Sequence, residues 1–76
     1  MNTYLIGDIA NKTGLPIDTL NYYLRIGLIK EVGRSERSGY RYFNDQTVSE
    51  LKVIIKLRLK HIPIKVIKQR ISNGIF

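Results

Sequence analysis

Residues 14–29 read GLPIDTLNYYLRIGLI, and this stretch decides the fold. Pro16 has a fixed φ and no N–H, which suits the start of a helix, and Asp18 in the first turn complements the helix dipole. Gly27 is placed to end that helix near Arg25. The apolar residues that face or fill the core, most of them at helical spacing, are Leu20, Tyr23, Leu24, Leu28 and Ile29.

A shorter helix is predicted just before this stretch, from Ile6 to Thr13. Gly14 follows it as a left-handed terminator. Two short helices joined by a turn at Gly14 are typical of a helix-turn-helix unit, here spanning about residues 6–26. The apolar face of the first helix has i, i+3, i+4 spacing and consists of Ile6, Ile9 and Ala10.

A β-hairpin is predicted at about residues 29–43, because no helical period persists there. Its second half carries an aromatic run that ends at Phe43. The turn formers before and within it are Gly33, Ser35, Ser38 and Gly39.

Two further helices complete the predicted order of helix, helix, hairpin, helix, helix. Asn44 is a candidate N-cap for the third helix, at about residues 45–61, and Pro63 precedes a fourth at about 64–72. The predicted core face of the third helix continues past its end and consists of Val48, Leu51, Ile55, Leu59 and Ile62. The fourth contributes Ile64, Ile67 and Ile71.

The composition indicates one small globular domain covering residues 1–76. Hydrophobic residues make up 43% of the sequence and charged residues 25%. The chain has no cysteine and one histidine, His61, so it offers neither a disulfide framework nor a zinc cage. Six scattered acids and no phosphate-cradling glycine loop argue against an enzyme. No apolar run reaches membrane-spanning length and no signal sequence is recognisable, so we expect a cytoplasmic protein.

The charge is strongly basic and unevenly distributed. The formal net charge is +7, which favours a polyanionic partner without choosing between DNA, RNA and an anionic membrane. Residues 1–50 balance six basic against six acidic side chains. The excess lies beyond residue 50 in Lys52, Lys56, Arg58, Lys60, Lys65, Lys68 and Arg70.

Several separately spaced motifs resemble one family. They are Thr19-Leu20-Asn21-Tyr22-Tyr23, then Gly27-Leu28, then Ser38-Gly39-Tyr40-Arg41, with Leu51, Ile54 and Ile67 further on. Over about residues 4–71 this order is similar to the DNA-binding domain of MerR-type transcription regulators. The resemblance implies a mainly α, winged helix-turn-helix fold of four helices, with a two-stranded hairpin wing between helices 2 and 3.

The resemblance also implies sequence-specific binding to double-stranded DNA in transcription regulation, on the bacterial nucleoid. The second helix enters the major groove, the wing follows the backbone, and the turn between the last two helices meets phosphates. The residues assigned to DNA are Asp18, Thr19, Asn21, Tyr22, Tyr23, Arg34, Arg37, Tyr40, Arg41, Lys60 and Lys65.

Several of these positions keep a second interpretation. Tyr23 either packs in the core or reaches a phosphate, and Asn21 is either a base reader or a solvated helix residue. His61 stands where the family has a helix-ending glycine, and we expect it to cap the third helix. Asn21, Leu24 and Asp18 depart from the family pattern, which leaves the base preference open.

Relatives continue into a long dimerisation helix and an effector region, whereas this sequence stops at Phe76. We therefore expect no cofactor, metal or small-molecule effector in this chain, and the sequence leaves open whether it forms a homodimer on DNA. Two alternatives stay open: an excisionase-like architectural DNA-binding factor, and a protein-interaction module. The interaction surface would be the basic C-terminal part with Ile62, Ile64, Val66, Ile67, Ile71, Ile75 and Phe76.

Overall fold

The computed structural model describes residues 2–74, so the predicted roles of Ile75 and Phe76 lie outside the described residues. The observed order of helix, helix, hairpin, helix, helix confirms the prediction. Its elements are α1 (Ile6–Thr13), α2 (Ile17–Arg25), β1 (Gly33–Arg34), β2 (Arg41–Tyr42), α3 (Asp45–Leu59) and α4 (Ile64–Ser72).

Helices α2, α3 and α4 begin at residues whose chemistry favours a helix start. Pro16 and Pro63 both have a φ of −62° and are the N-caps of α2 and α4, just before the first helical residue. Asn44 caps α3: its Oδ1 accepts a hydrogen bond from the Thr47 amide at 3.2 Å. The predicted N-cap role of Asn44 is therefore confirmed.

Helices α2 and α3 each end in a hydrogen-bonded turn of the same type. Gly27 has a φ of 75°, and its neighbour Leu28 donates its amide hydrogen to the Tyr23 carbonyl at 2.8 Å. At the end of α3, His61 has a φ of 62°, and Ile62 donates to the Leu57 carbonyl at 3.1 Å. Both turns are Schellman motifs. The predicted capping role of His61 is confirmed, and α3 ends at Leu59, slightly before the expected boundary.

The core lies where α1, α2 and α4 pack around α3. It also takes in the two residues that follow α2 and the aromatic residue that follows β2. Among the described residues, the buried apolar side chains are Ile9, Leu20, Tyr23, Leu28, Ile29, Phe43, Val48, Leu51, Ile54 and Ile67. No helix within residues 2–74 is long and apolar enough to cross a membrane.

The predicted core face of α3 was partly wrong. Leu59 is 75% exposed, while Ile54, which was not in the predicted stripe, is fully buried. The predicted stripe stepped by three, four, four and three residues, which fits the helical repeat of 3.6, so the spacing alone did not identify which apolar face is buried. At the end of α3, Leu57 packs against the core in place of Leu59, while Ile62 packs against it as predicted.

The predicted interaction surface of the C-terminal part is largely used inside this chain. Ile67 is fully buried, and Ile62, Ile64 and Ile71 pack against the core. Of the predicted set within residues 2–74, only Val66 is exposed, at 37%.

The hairpin is short and is extended by the N-terminal segment. Strands β1 and β2 are antiparallel, with Gly33 opposite Tyr42 and Arg34 opposite Arg41. Beyond them, Tyr4 and Phe43 form a bridge in which each amide donates to the other's carbonyl, at 2.8 and 2.7 Å. The bridge fixes the base of the hairpin against the helical body.

Candidate nucleic-acid interface

Helix α2 presents a polar outer face because its apolar face is fixed in the core. Leu20 is fully buried, whereas Asp18 and Asn21 are exposed and Tyr22 is 45% exposed. Thr19 is half-buried at the edge of this face. A helix held in this way can enter a major groove while its outward side chains meet base edges.

Tyr23 lies on the other side of α2. Only 6% of it is exposed, and it belongs to the hydrophobic core. Its ring centroid is 6.1 Å from that of Tyr22, with the planes tilted by 50°. This burial favours the packing interpretation of Tyr23 over a phosphate contact.

A cleft of about 550 Å³ lies between the start of α1, the middle of α2 and the hairpin. Four of the residues assigned to DNA from the sequence line it together: Asn21, Arg34, Tyr40 and Arg41. The opposite wall is formed by residues 5–8, around the start of α1. The predicted base reader and three predicted backbone contacts therefore share one concave surface.

Arg25 is a candidate site residue that the sequence prediction missed. It is exposed in the last turn of α2, and with Asn21, Leu24 and Arg41 it lines a second concavity of about 280 Å³. Its position four residues after Asn21 would have placed the two on one helix face. The prediction used Arg25 only to mark the end of the helix.

Two of the three hairpin arginines, Arg34 and Arg41, contact the same carboxylate, that of Glu31. The Nε of Arg34 lies 2.9 Å from Glu31 Oε2, and the Nε of Arg41 lies 3.4 Å from the same oxygen. Both arginine side chains are about half exposed, so their outer ends remain accessible to solvent.

The tip of the hairpin projects into solvent. Tyr40 is 65% exposed and Arg37 is also exposed. The loop is held by backbone bonds, since the Ser35 amide donates to the Tyr40 carbonyl at 2.9 Å and the Gly39 amide to the Ser35 carbonyl at 2.8 Å. Gly39 has a φ of 71°, a conformation that glycine adopts without strain.

The turn between α3 and α4 carries the last two predicted contacts. Lys60 and Lys65 are both exposed on either side of His61 and Pro63. Neither lysine lines the cleft described above, so they belong to a separate surface. Arg58 is engaged in the turn itself, where it donates from Nη1 to the Ile62 carbonyl at 3.5 Å.

In the described part of the chain, neither a metal-binding group nor a side chain with a shifted pKa lies in the cleft. Residues 2–74 contain no group of three or more histidine, cysteine or acidic side chains that would hold a metal ion. Burial raises the pKa of the Glu50 carboxyl above its ordinary value, but Glu50 lies on α3 and lines neither concavity.

A helix-turn-helix followed by a short hairpin and two helices, with an exposed second helix beside basic hairpin residues, defines a winged helix-turn-helix protein. The chain belongs to the MerR HTH family of regulatory proteins, whose model matches residues 4–73. The family consists of transcription regulators, which are not enzymes.

Known relatives and structures agree with this assignment. The mercuric resistance operon regulatory protein of Bacillus cereus is 42% identical over 55 residues, which cover 72% of this chain and 41% of that protein. The regulator CueR of Bacillus subtilis is 28% identical over 71 residues, covering 93% of this chain and 48% of that protein. The crystal structure of HiNmlR, a MerR family regulator lacking the sensor domain and bound to promoter DNA, matches with a TM-score of 0.87.

The HiNmlR match has 32% sequence identity and covers 97% of this chain and 55% of that chain. The chain therefore spans about two fifths to just over half of the length of these relatives.

Proposed function

We propose that this chain binds double-stranded DNA in a sequence-specific manner as the DNA-binding part of a transcription regulator. The observation that carries the proposal is the shared cleft, which places Asn21 of α2 next to Arg34, Tyr40 and Arg41 of the hairpin. A duplex with α2 in its major groove would bring a phosphate backbone against the hairpin. The structure of HiNmlR, a MerR family regulator bound to promoter DNA, supports double-stranded DNA as the partner.

The residues divide into two proposed roles. Thr19, Asn21 and Tyr22 read bases, and the amide of Asn21 suits the N6 and N7 edge of adenine. Asp18, next to them, is compatible with a cytosine amino group and unfavourable near a phosphate. The proposed backbone contacts, whose cations and hydroxyl suit phosphate oxygens, are Arg34, Arg37, Tyr40, Arg41, Lys60 and Lys65.

The proposed location of the protein follows from DNA as its partner. A protein that binds chromosomal DNA in a bacterium acts in the cytoplasm, at the nucleoid. We propose no catalytic step for this chain, because it belongs to a family of transcription regulators.

The division of roles is tested by two substitutions measured on a panel of duplexes selected from random sequence. We expect Arg41→Ala to weaken binding to all duplexes alike, because a phosphate contact carries no sequence information. We expect Asn21→Ala to change the order of preference among them, with about 1–3 kcal/mol lost at one base pair. Lys52→Ala, which removes an exposed cation on α3, is the control and should alter neither.

The opposite result would contradict the assignment. If Arg41→Ala changed base preference while Asn21→Ala weakened all duplexes equally, the roles of α2 and the hairpin would be reversed. If neither variant differed from Lys52→Ala, this cleft would not be the DNA-binding surface.

A further inference from the structure

Two arginines lie directly opposite each other in the hairpin. Arg34 on β1 pairs with Arg41 on β2, so their side chains emerge on the same face of the ladder. Like charges directly opposite on a sheet repel, and long side chains in solvent otherwise sample many rotamers. The pair therefore needs a group that neutralises part of the repulsion and limits its motion.

Glu31 supplies that group. It precedes β1, and its Oε2 lies 2.9 Å from the Nε of Arg34 and 3.4 Å from the Nε of Arg41. Its Oε1 is also 3.4 Å from Nη2 of Arg34. The Glu31 side chain is only 33% exposed, less than that of either arginine, so it is the least solvent-accessible of the three.

This placement leaves the outer ends of the arginines for another partner. Arg41 meets Glu31 through Nε, and within residues 2–74 its two terminal nitrogens make no hydrogen bond. Two guanidinium groups that contact Glu31 through Nε keep terminal nitrogens available for a second partner. Such a pair matches phosphate oxygens without first losing rotamer freedom.

We propose that Glu31 is a positioning residue for DNA binding, a carboxylate brace that holds Arg34 and Arg41 as a preorganised phosphate clamp. The inference rests on the proposed function and adds a negatively charged residue that strengthens binding to a polyanion. Charge alone would predict the opposite effect on affinity, because a carboxylate near phosphates repels them.

The brace acts on binding far more than on folding. Exposed ion pairs contribute about 0–1 kcal/mol to stability, so removing this one leaves the core intact. The effect on affinity is therefore measurable in a folded protein, and thermal unfolding of each variant checks this.

The test compares two acids of the same hairpin. Glu31→Ala removes the brace, while Glu36→Ala removes an exposed carboxylate that makes no ion pair within the described residues. Both changes raise the net charge by one. We expect Glu36→Ala to bind a fixed duplex slightly more tightly, and Glu31→Ala to bind it about fivefold more weakly, because two arginines must then be ordered on binding.

A second variant and a spectroscopic readout separate geometry from charge. Glu31→Gln keeps an acceptor for the arginines and loses the charge, so it should fall between wild type and Glu31→Ala. In NMR, hydrogen exchange at the Nε of Arg34 and Arg41 should be slower than at the exposed Arg37 in the wild-type protein. The difference should disappear in Glu31→Ala.

Two failures are distinguishable. Tighter binding by Glu31→Ala, equal to that of Glu36→Ala, would overturn the brace while Arg41→Ala still weakened binding and the proposed function stood. If Arg41→Ala had no effect on binding either, the proposed function itself would fail on this face.

Discussion

His61 holds a backbone conformation that side chains with a Cβ atom rarely adopt. Its φ is 62°, and it is the only non-glycine residue within residues 2–74 with a positive φ. Gly27 occupies the equivalent position after α2 with a φ of 75°. The left-handed region costs a residue with a Cβ atom roughly 1–2 kcal/mol, and glycine pays no such penalty.

We therefore expect His61→Gly to stabilise the protein. The relief of strain exceeds the extra chain entropy that glycine loses on folding, and a net gain of about 0.5–1 kcal/mol in the free energy of unfolding is expected. Urea denaturation of the purified variant measures it. Gly27→Ala makes the reverse change in the same motif and should lose a comparable amount. A loss of stability in His61→Gly would contradict the strain argument.

At single positions, the sequence predicted the role of a residue best where a local rule of backbone conformation applied. Asn44 follows from capping chemistry, which is local, whereas the role of His61 was implied by its place in the family pattern. Tyr23 was left between two interpretations because an aromatic residue near a helix surface suits either, and only tertiary packing decides. The spacing of Arg25 from Asn21 placed both on one helix face, but only the fold shows that Arg25 and Arg41 line the same concavity.

Among the elements, the hairpin depends on one close packing contact. Tyr42 lies opposite Gly33, and a Cβ atom added at Gly33 would be 2.6 Å from Cζ of the Tyr42 ring. The ring therefore covers the glycine and needs the space that the missing side chain leaves. This contact is within the strands that carry Arg34 and Arg41.

We expect Gly33→Ala to distort the hairpin while the helices remain. The ring must shift, at a cost of about 1–3 kcal/mol as in other overpacked sites, and DNA binding should weaken as the arginines move. Fluorescence anisotropy with a labelled duplex measures the affinity, and circular dichroism checks the helices. Adding Tyr42→Ala removes the clash, so the double variant should recover stability relative to Gly33→Ala. Wild-type affinity in Gly33→Ala would show that the contact does not shape the hairpin.

The helices were predicted more accurately than the face of α3. Caps and prolines fix where each helix begins, whereas α3 carries apolar residues on more than one side. Leu59 and Ile54 both fit apolar stripes, and only packing against the other helices decides that Ile54 is buried. The bridge between Tyr4 and Phe43 was not predicted, because a single bridge leaves no periodic pattern in the sequence.

For the whole molecule, the separation of charge is the main electrostatic property. The net charge of +7 comes from beyond residue 50, while the cleft lies between α1, α2 and the hairpin. The proposed phosphate contacts draw on both regions. Their cationic members are Arg34, Arg37, Arg41, Lys60 and Lys65.

We expect DNA binding to depend steeply on salt. Five cationic phosphate contacts predict a slope of about −4.5 in a plot of log K against log salt concentration, because each contact releases counterions. Lys60→Ala should reduce the magnitude of the slope by about 1, whereas Lys52→Ala should leave it unchanged. A slope near zero would exclude phosphate contacts as the source of affinity.

The bridge between Tyr4 and Phe43 also has a kinetic consequence. It joins residues about 40 positions apart, so forming it early would close a long flexible loop at a large entropic cost. Prior formation of α1 and α2 shortens the chain that must be closed. We therefore expect the anchored hairpin to assemble late in folding, after the helix-turn-helix unit, and substitutions at the bridge to accelerate unfolding more than they slow refolding.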